Sequence, residues 1–133
     1  MNTKIFVNLP VKDLNRTKEF FGLLGYGFNA QFTDENAACL VIGEDIYVML
    51  LLEDFFKGFT QKPITDTEQS IESIIALTVE SREAVDDMYD KAIVAGGRHG
   101  YDTSDLGFMY SRSFADLDGH LWEMFWMDPA HVG

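Results

Sequence analysis

One carboxylate stands in an apolar strand near the end of the sequence. Glu123 alternates with Leu121 and Phe125 within 121–127, so the three side chains are predicted to share one face of a strand. A carboxylate on an apolar face needs a hydrogen-bond donor nearby, and Arg112 on the preceding strand is the predicted partner. Three roles follow for Glu123: membership of a buried hydrogen-bonded pair, contact with a ligand or acid–base catalysis, and residual metal binding.

The histidines and the cysteine offer little further chemistry. His120 begins the last strand beside a turn glycine and is predicted on the face opposite Glu123, which favours a turn-stabilising or surface role. His99 and His131 have no second histidine at metal-ligand spacing. Cys39 is the single cysteine, which excludes an intramolecular disulfide, and its apolar surroundings predict a buried strand residue.

Composition limits the classes of partner. The 133 residues include 10 Lys and Arg against 22 Asp and Glu, which gives a formal net charge of −12. An acidic chain repels phosphate backbones and anionic lipid head groups, so neither nucleic acid nor a membrane is expected as a partner. No stretch approaches the roughly 20 consecutive apolar residues that cross a bilayer. The sequence therefore predicts a cytoplasmic protein that folds as one domain over residues 1–133.

Hydrophobic periodicity predicts two helices and several short strands. The first helix is expected over 15–24, and the second is expected to begin after the capping residue Ser81 and to end before Gly96. Apolar segments rich in β-branched and aromatic residues predict strands. These segments are 5–11, 28–32, 37–42, 46–52, 71–79, 108–114 and 121–127, with a less regular strand around 98–103.

The order of these elements indicates an internal duplication. Shifting the sequence by 68 residues places Phe6 on Ile74 and Asn8 on Ala76, and it aligns the two helix starts. We therefore expect an α+β fold made of two βαβββ modules, at about 1–56 and 71–127, joined by a connection at about 57–70. Two such modules curl a mixed sheet into an open cup, whose inside is the expected ligand site.

Two segments carry a family resemblance. The opening IFVNLPVKDL at 5–14, followed by a helix with Phe20 and Phe21, and the segment FADLDGHLWE at 114–123 resemble the vicinal oxygen chelate superfamily. That superfamily includes glyoxalase I, extradiol dioxygenases, fosfomycin-resistance enzymes and bleomycin-binding proteins. The resemblance implies paired βαβββ modules, a homodimer, and a divalent metal that chelates two neighbouring substrate oxygens.

The resemblance also places the metal-ligand positions on this sequence. They fall on Phe6, Ile74, Glu123 and a residue around 49–51. Of these, Glu123 is the one retained residue of ligand type, so no cofactor is expected and a divalent metal is disfavoured. The residues predicted to contact a ligand are Phe6, Asn8, Met49, Ile74, Ala76, Tyr110, Arg112 and Phe125.

Three hypotheses about function follow. The first is a metal-free protein that binds a small apolar or aromatic molecule in the cup, with a second copy of itself as partner. The second is a divergent metal-dependent lyase or dioxygenase of the same superfamily, with Glu123 as a catalytic residue. The third is a non-catalytic structural or interaction module whose cup is filled by its own side chains.

Overall fold

The structure is a computed structural model that describes residues 3–131 of the chain. It divides into two compact units, one ending at Asp66 and the other beginning at Thr67. Each unit consists of a sheet with one long helix packed against it.

The first unit contains four strands. They are β1 (Ile5–Val11), β2 (Gly27–Phe28), β3 (Ala37–Gly43) and β4 (Ile46–Leu52), in the sheet order β1-β4-β3-β2 with β1 parallel to β4. Helix α1 (Leu14–Leu23) follows β1, and the short helix α2 (Glu53–Phe56) follows β4.

Helix α1 is fixed at both ends and along one side. The Asp13 side chain accepts a hydrogen bond from the main-chain N–H of Arg16, which caps the first turn. Gly25 adopts a φ of 103° just beyond the helix end, a conformation that glycine enters without steric cost. Burial of one helix face against the sheet follows from its apolar periodicity. The buried side chains of this layer include Leu9, Val11, Thr17, Phe20, Phe21, Leu40, Val48 and Leu50.

The second unit repeats this plan with one additional strand. Its strands are β5 (Ile74–Thr78), β6 (Arg98–His99), β7 (Ser104–Asp105), β8 (Met109–Ala115) and β9 (Leu121–Met127). The sheet order is β5-β9-β8-β6, β7 also pairs with β8, and β5 is parallel to β9. Helix α3 (Arg82–Val94) begins after Ser81, whose hydroxyl accepts from the N–H of Ala84 at 3.0 Å.

The turn between β8 and β9 is built around a buried carboxylate. Asp116 is 5% exposed and accepts hydrogen bonds from the N–H groups of Asp118 and His120, at 2.9 and 3.0 Å, and from the indole N–H of Trp122 at 2.9 Å. Burial raises the pKa of the Asp116 carboxyl, and these three donors act in the opposite direction. The acidic motif at 116–120 therefore builds a turn.

The α+β class with paired βαβββ modules is confirmed, while several boundaries differ. In place of the strand expected over 28–32, the structure has the two-residue strand Gly27–Phe28. The strand ends there because the side chain of Asn29 caps a 3₁₀ turn over Ala30–Phe32 by accepting from the Gln31 N–H at 2.9 Å. The strand expected over 71–79 is limited to β5. Among residues 3–131, no helix is long and apolar enough to cross a membrane.

Candidate functional site on the open sheet faces

Each sheet packs one face against its long helix, and exposed or partly exposed side chains line its other face. In β9, Trp122 and Met124 are buried on the α3 side, while Leu121, Glu123 and Phe125 alternate onto the opposite side and are partly exposed. Three exposed side chains of β5 lie in register with Leu121, Glu123 and Phe125. Together they form the open face of the second sheet: Ile74, Ala76, Thr78, Leu121, Glu123 and Phe125.

Glu123 is hydrogen-bonded on this face to a residue that the sequence did not point to. The hydroxyl of Tyr101 donates to Glu123 Oε1 at 2.7 Å, in a partly buried position. Burial raises the pKa of the Tyr101 hydroxyl, and the hydrogen bond and charge of Glu123 raise it further. Tyr101 therefore keeps its hydroxyl proton and donates a hydrogen bond to the carboxylate across the neutral pH range.

A bulge at the sheet edge brings Tyr101 to this position. Strands β6 and β7 pair with β8 on either side of residues 100–103, which loop out of the ladder. The N–H of Tyr101 donates to Ser113 Oγ at 2.7 Å, and the N–H of Gly100 donates to the Ser113 carbonyl at 3.1 Å. A Cβ at Gly100 would lie 2.3 Å from Ser113 Oγ, so glycine is required for this close approach.

The predicted pairing of Arg112 with Glu123 is wrong. In the antiparallel register of β8 and β9, Ser113 lies opposite Glu123 and Arg112 lies opposite Met124. Side chains alternate between faces, so this one-residue difference places Arg112 on the α3 side of the sheet. There its Nη1 lies 2.9 Å from a carboxylate oxygen of Asp86.

Tyr110 also lies on the helix side, with Arg112. Its hydroxyl donates to Asp86 Oδ1 at 2.5 Å, and the guanidinium of Arg82 stacks over its ring at 4.5 Å. The hydroxyl of Tyr110, followed by Arg112, holds the pKa of Asp86 below its usual range. These contacts fasten α3 to β8, so both of these predicted ligand contacts lie on the face away from Glu123.

The open face of the first sheet carries an aromatic pair. Phe6 on β1 is in register with Tyr47 on β4, and their rings stack with centroids 4.7 Å apart. The next register pair on that face is Asn8 with Met49. Phe6 is 42% exposed, and Asn8 is exposed with its Nδ2 donating to the Phe6 carbonyl at 3.3 Å.

The two units use equivalent positions with different chemistry. The register pair Asn8–Met49 in the first unit corresponds to Ala76–Glu123 in the second, so Met49 stands where the second unit has its carboxylate. A divalent cation needs several nitrogen or oxygen donors, which the side chains at the predicted ligand positions other than Glu123 do not supply. No group of three or more His, Cys, Asp or Glu side chains able to hold a metal occurs among residues 3–131. The residues present do not fit the metal centre that the resemblance implies.

One family model matches the first part of the chain. Residues 3–43 match the family model of the bleomycin resistance protein-like N-terminal region. A search of curated proteins found no match.

Solved structures match over nearly the whole chain. A hypothetical protein from S. aureus is 27% identical, with a TM-score of 0.80 and 94% of each chain covered. A glyoxalase/bleomycin resistance protein/dioxygenase family enzyme from Burkholderia phytofirmans PsJN is 16% identical, with a TM-score of 0.76 and coverage of 92% of this chain and 96% of its own. TnmS3, an antibiotic binding protein from Streptomyces sp. CB03234, is 15% identical, with a TM-score of 0.67 and coverage of 96% and 97%. The chain has the glyoxalase/bleomycin resistance/dioxygenase-like fold, which confirms the fold that the resemblance implies.

Proposed function

We propose that this protein binds small apolar or aromatic molecules on its open sheet faces and does so without a divalent metal. The observation that carries this proposal is the chemistry of the positions where the superfamily places its metal ligands. Phe6, Met49 and Ile74 occupy three of them with apolar side chains, on open faces of otherwise well-packed sheets. The same fold in TnmS3 belongs to an antibiotic binding protein, which supports a binding function.

The exposed apolar side chains on these faces provide the contact surface. Phe6 is 42% exposed and Ile74 is 51% exposed, although both lie within strands. Burying such groups against a ligand is favourable by roughly 25 cal/mol for each Å² of apolar area. The stacked rings of Phe6 and Tyr47 offer a flat surface, and flat aromatic ligands pack on such surfaces in offset geometry.

Titration with N-phenyl-1-naphthylamine, a neutral aromatic probe that fluoresces in apolar surroundings, tests the proposal. The protein is purified without a metal-affinity tag and dialysed against EDTA. We expect saturable binding that EDTA does not change and that Phe6→Ala weakens about tenfold, because the substitution removes most of the exposed ring surface.

The matched control is Leu23→Ala, which removes an apolar side chain that is 57% exposed at the end of α1. It should leave the affinity unchanged. No saturable binding, or binding that appears only after a divalent metal is added back, would contradict the proposal.

Three predictions from the sequence accompany this function. They are a homodimer, a cytoplasmic location, and a catalytic role for Glu123 if the protein is an enzyme. The hydrogen bond from Tyr101 to Glu123 is compatible with acid–base catalysis because it leaves one carboxylate oxygen open.

A further inference from the structure

The two oxygens of the Glu123 carboxylate have different surroundings. Oε1 accepts the hydrogen bond from Tyr101. Oε2 has no hydrogen-bond partner among residues 3–131. A buried oxygen without a partner in that part of the chain would stand with Arg112 Nε, the one buried side-chain polar atom there that lacks a partner. Oε2 is therefore not fully buried, and solvent reaches it. One oxygen is therefore held in place, and the other is open to an incoming donor.

No basic side chain in the described part of the chain neutralises this carboxylate. The nearest arginine along β8, Arg112, is on the α3 side of the sheet and is paired with Asp86. No Lys or Arg among residues 3–131 forms an ion pair with Glu123. The charge of Glu123 is therefore available to a cation from outside the chain.

The side chains beside Glu123 along β5 and β9 on this face are apolar. Ala76 lies opposite Glu123 in the parallel register, and Ile74 and Phe125 flank the pair along the two strands. A charge-assisted hydrogen bond is stronger beside apolar surface than in open water. The same neighbours would contact the apolar part of a ligand whose donor reaches Oε2.

We infer that the open face of the second sheet selects ligands in which a protonated amine is attached to an apolar or aromatic body, with Glu123 Oε2 accepting from the amine while Tyr101 holds Oε1. This inference rests on the proposed function, whose ligand class it narrows. Tyr101 acts as a positioning residue, since it fixes the orientation of the carboxylate and makes no contact with the ligand in this arrangement. The formal charge of −12 adds a long-range attraction for cations.

The test compares three naphthalene probes of similar size by isothermal titration calorimetry. They are 1-naphthylmethylamine, which is protonated at neutral pH, 1-methylnaphthalene, which has no donor, and 1-naphthaleneacetate, which is an anion. We expect the amine to bind at least about tenfold more tightly than 1-methylnaphthalene, and the anion to bind most weakly.

Glu123→Gln should remove the preference for the amine and leave the affinity for 1-methylnaphthalene unchanged. Glu123→Met gives a second test with the residue that the first unit carries at the equivalent position, in case the amide disturbs the fold. Glu35→Gln removes the same charge from an exposed residue of the first unit and should preserve the preference. Tyr101→Phe should reduce the preference by about threefold through loss of orientation, without changing the affinity for 1-methylnaphthalene.

The outcomes separate the inference from the proposed function. If all three probes bind equally well, or if the amine preference survives in both Glu123 variants, the inference is wrong and the proposed function stands. If none of the probes binds, the proposed function fails and the inference fails with it.

Discussion

Removing the Tyr101 hydroxyl tests the geometry of the candidate site directly. In Tyr101→Phe the ring remains, and the 2.7 Å hydrogen bond to Glu123 is lost. A hydrogen bond to a charged group contributes about 1.5 to 3 kcal/mol, and the lower end applies here because solvent reaches the carboxylate. We therefore expect a loss of about 1.5 kcal/mol in the free energy of unfolding, which corresponds to about 5 °C in Tm for a chain of this length.

Urea denaturation followed by circular dichroism measures this loss. Tyr47→Phe is the matched control, because the Tyr47 hydroxyl donates at 3.1 Å to the main-chain carbonyl of Glu44 in an exposed position. It should lose less than about 0.5 kcal/mol. The hydrogen bond requires a protonated hydroxyl whose folded-state pKa is raised, so its contribution is present below about pH 10 and declines as the pH rises further.

A double-mutant cycle separates this bond from other effects of the substitution. Combining Tyr101→Phe with Glu123→Met should cost about 1 kcal/mol less than the sum of the two single changes. If the two changes add, or if Tyr101→Phe costs no more than Tyr47→Phe, the hydrogen bond does not stabilise the folded protein and this description of the site is wrong.

Two further predictions concern the support of the site. Gly100→Ala should destabilise the protein by about 1 to 3 kcal/mol in urea denaturation, since its Cβ would meet Ser113 Oγ at 2.3 Å. The control Gly22→Ala should not destabilise the protein, because a Cβ there meets no atom within 4 Å. Equal stability of the two variants would refute the close approach. Asp86→Asn should lower stability by about 1 kcal/mol at pH 7, a value reduced for the half-exposed carboxylate. The hydroxyl of Tyr110 lowers the folded-state pKa of Asp86, so this difference should shrink below about pH 4 as both states become protonated, and a difference independent of pH would contradict it.

The sequence predicted the regular parts of the fold because local patterns determine them. Strands β1, β4 and β9 have the predicted limits, since each is an apolar segment bounded by turn residues. Ser81 caps α3 as its residue type and position indicated. Alternation within β9 was also sufficient to place Glu123 and Trp122 on opposite faces.

The partner of Glu123 could not be predicted in the same way. Pairing with Arg112 required the register between β8 and β9, and a one-residue difference moves a side chain to the other face. Tyr101 reaches the carboxylate only because residues 100–103 bulge from the sheet edge. A signal was present in Gly100, which marks a close backbone approach within a strand, but it does not specify which neighbour the following side chain meets.

The two units share the same scaffold and differ in the residues of their open faces. Both units keep a parallel first and last strand, in the register Asn8–Met49 in one and Ala76–Glu123 in the other. The residues of the family resemblance at 116–122 include the buried contacts of Asp116 and Trp122, which stabilise a turn. The residues of the resemblance therefore determine the fold, and the ligand chemistry depends on the residues of the open faces.

Native mass spectrometry of the untagged protein shows whether it binds its ligand without a divalent metal. The protein is produced in medium supplemented with iron, manganese, nickel and zinc, and then mixed with N-phenyl-1-naphthylamine before and after EDTA treatment. We expect the mass of the metal-free chain and a probe adduct of the same abundance in both samples. A stoichiometric metal ion, with a probe adduct that disappears on chelation, would contradict it.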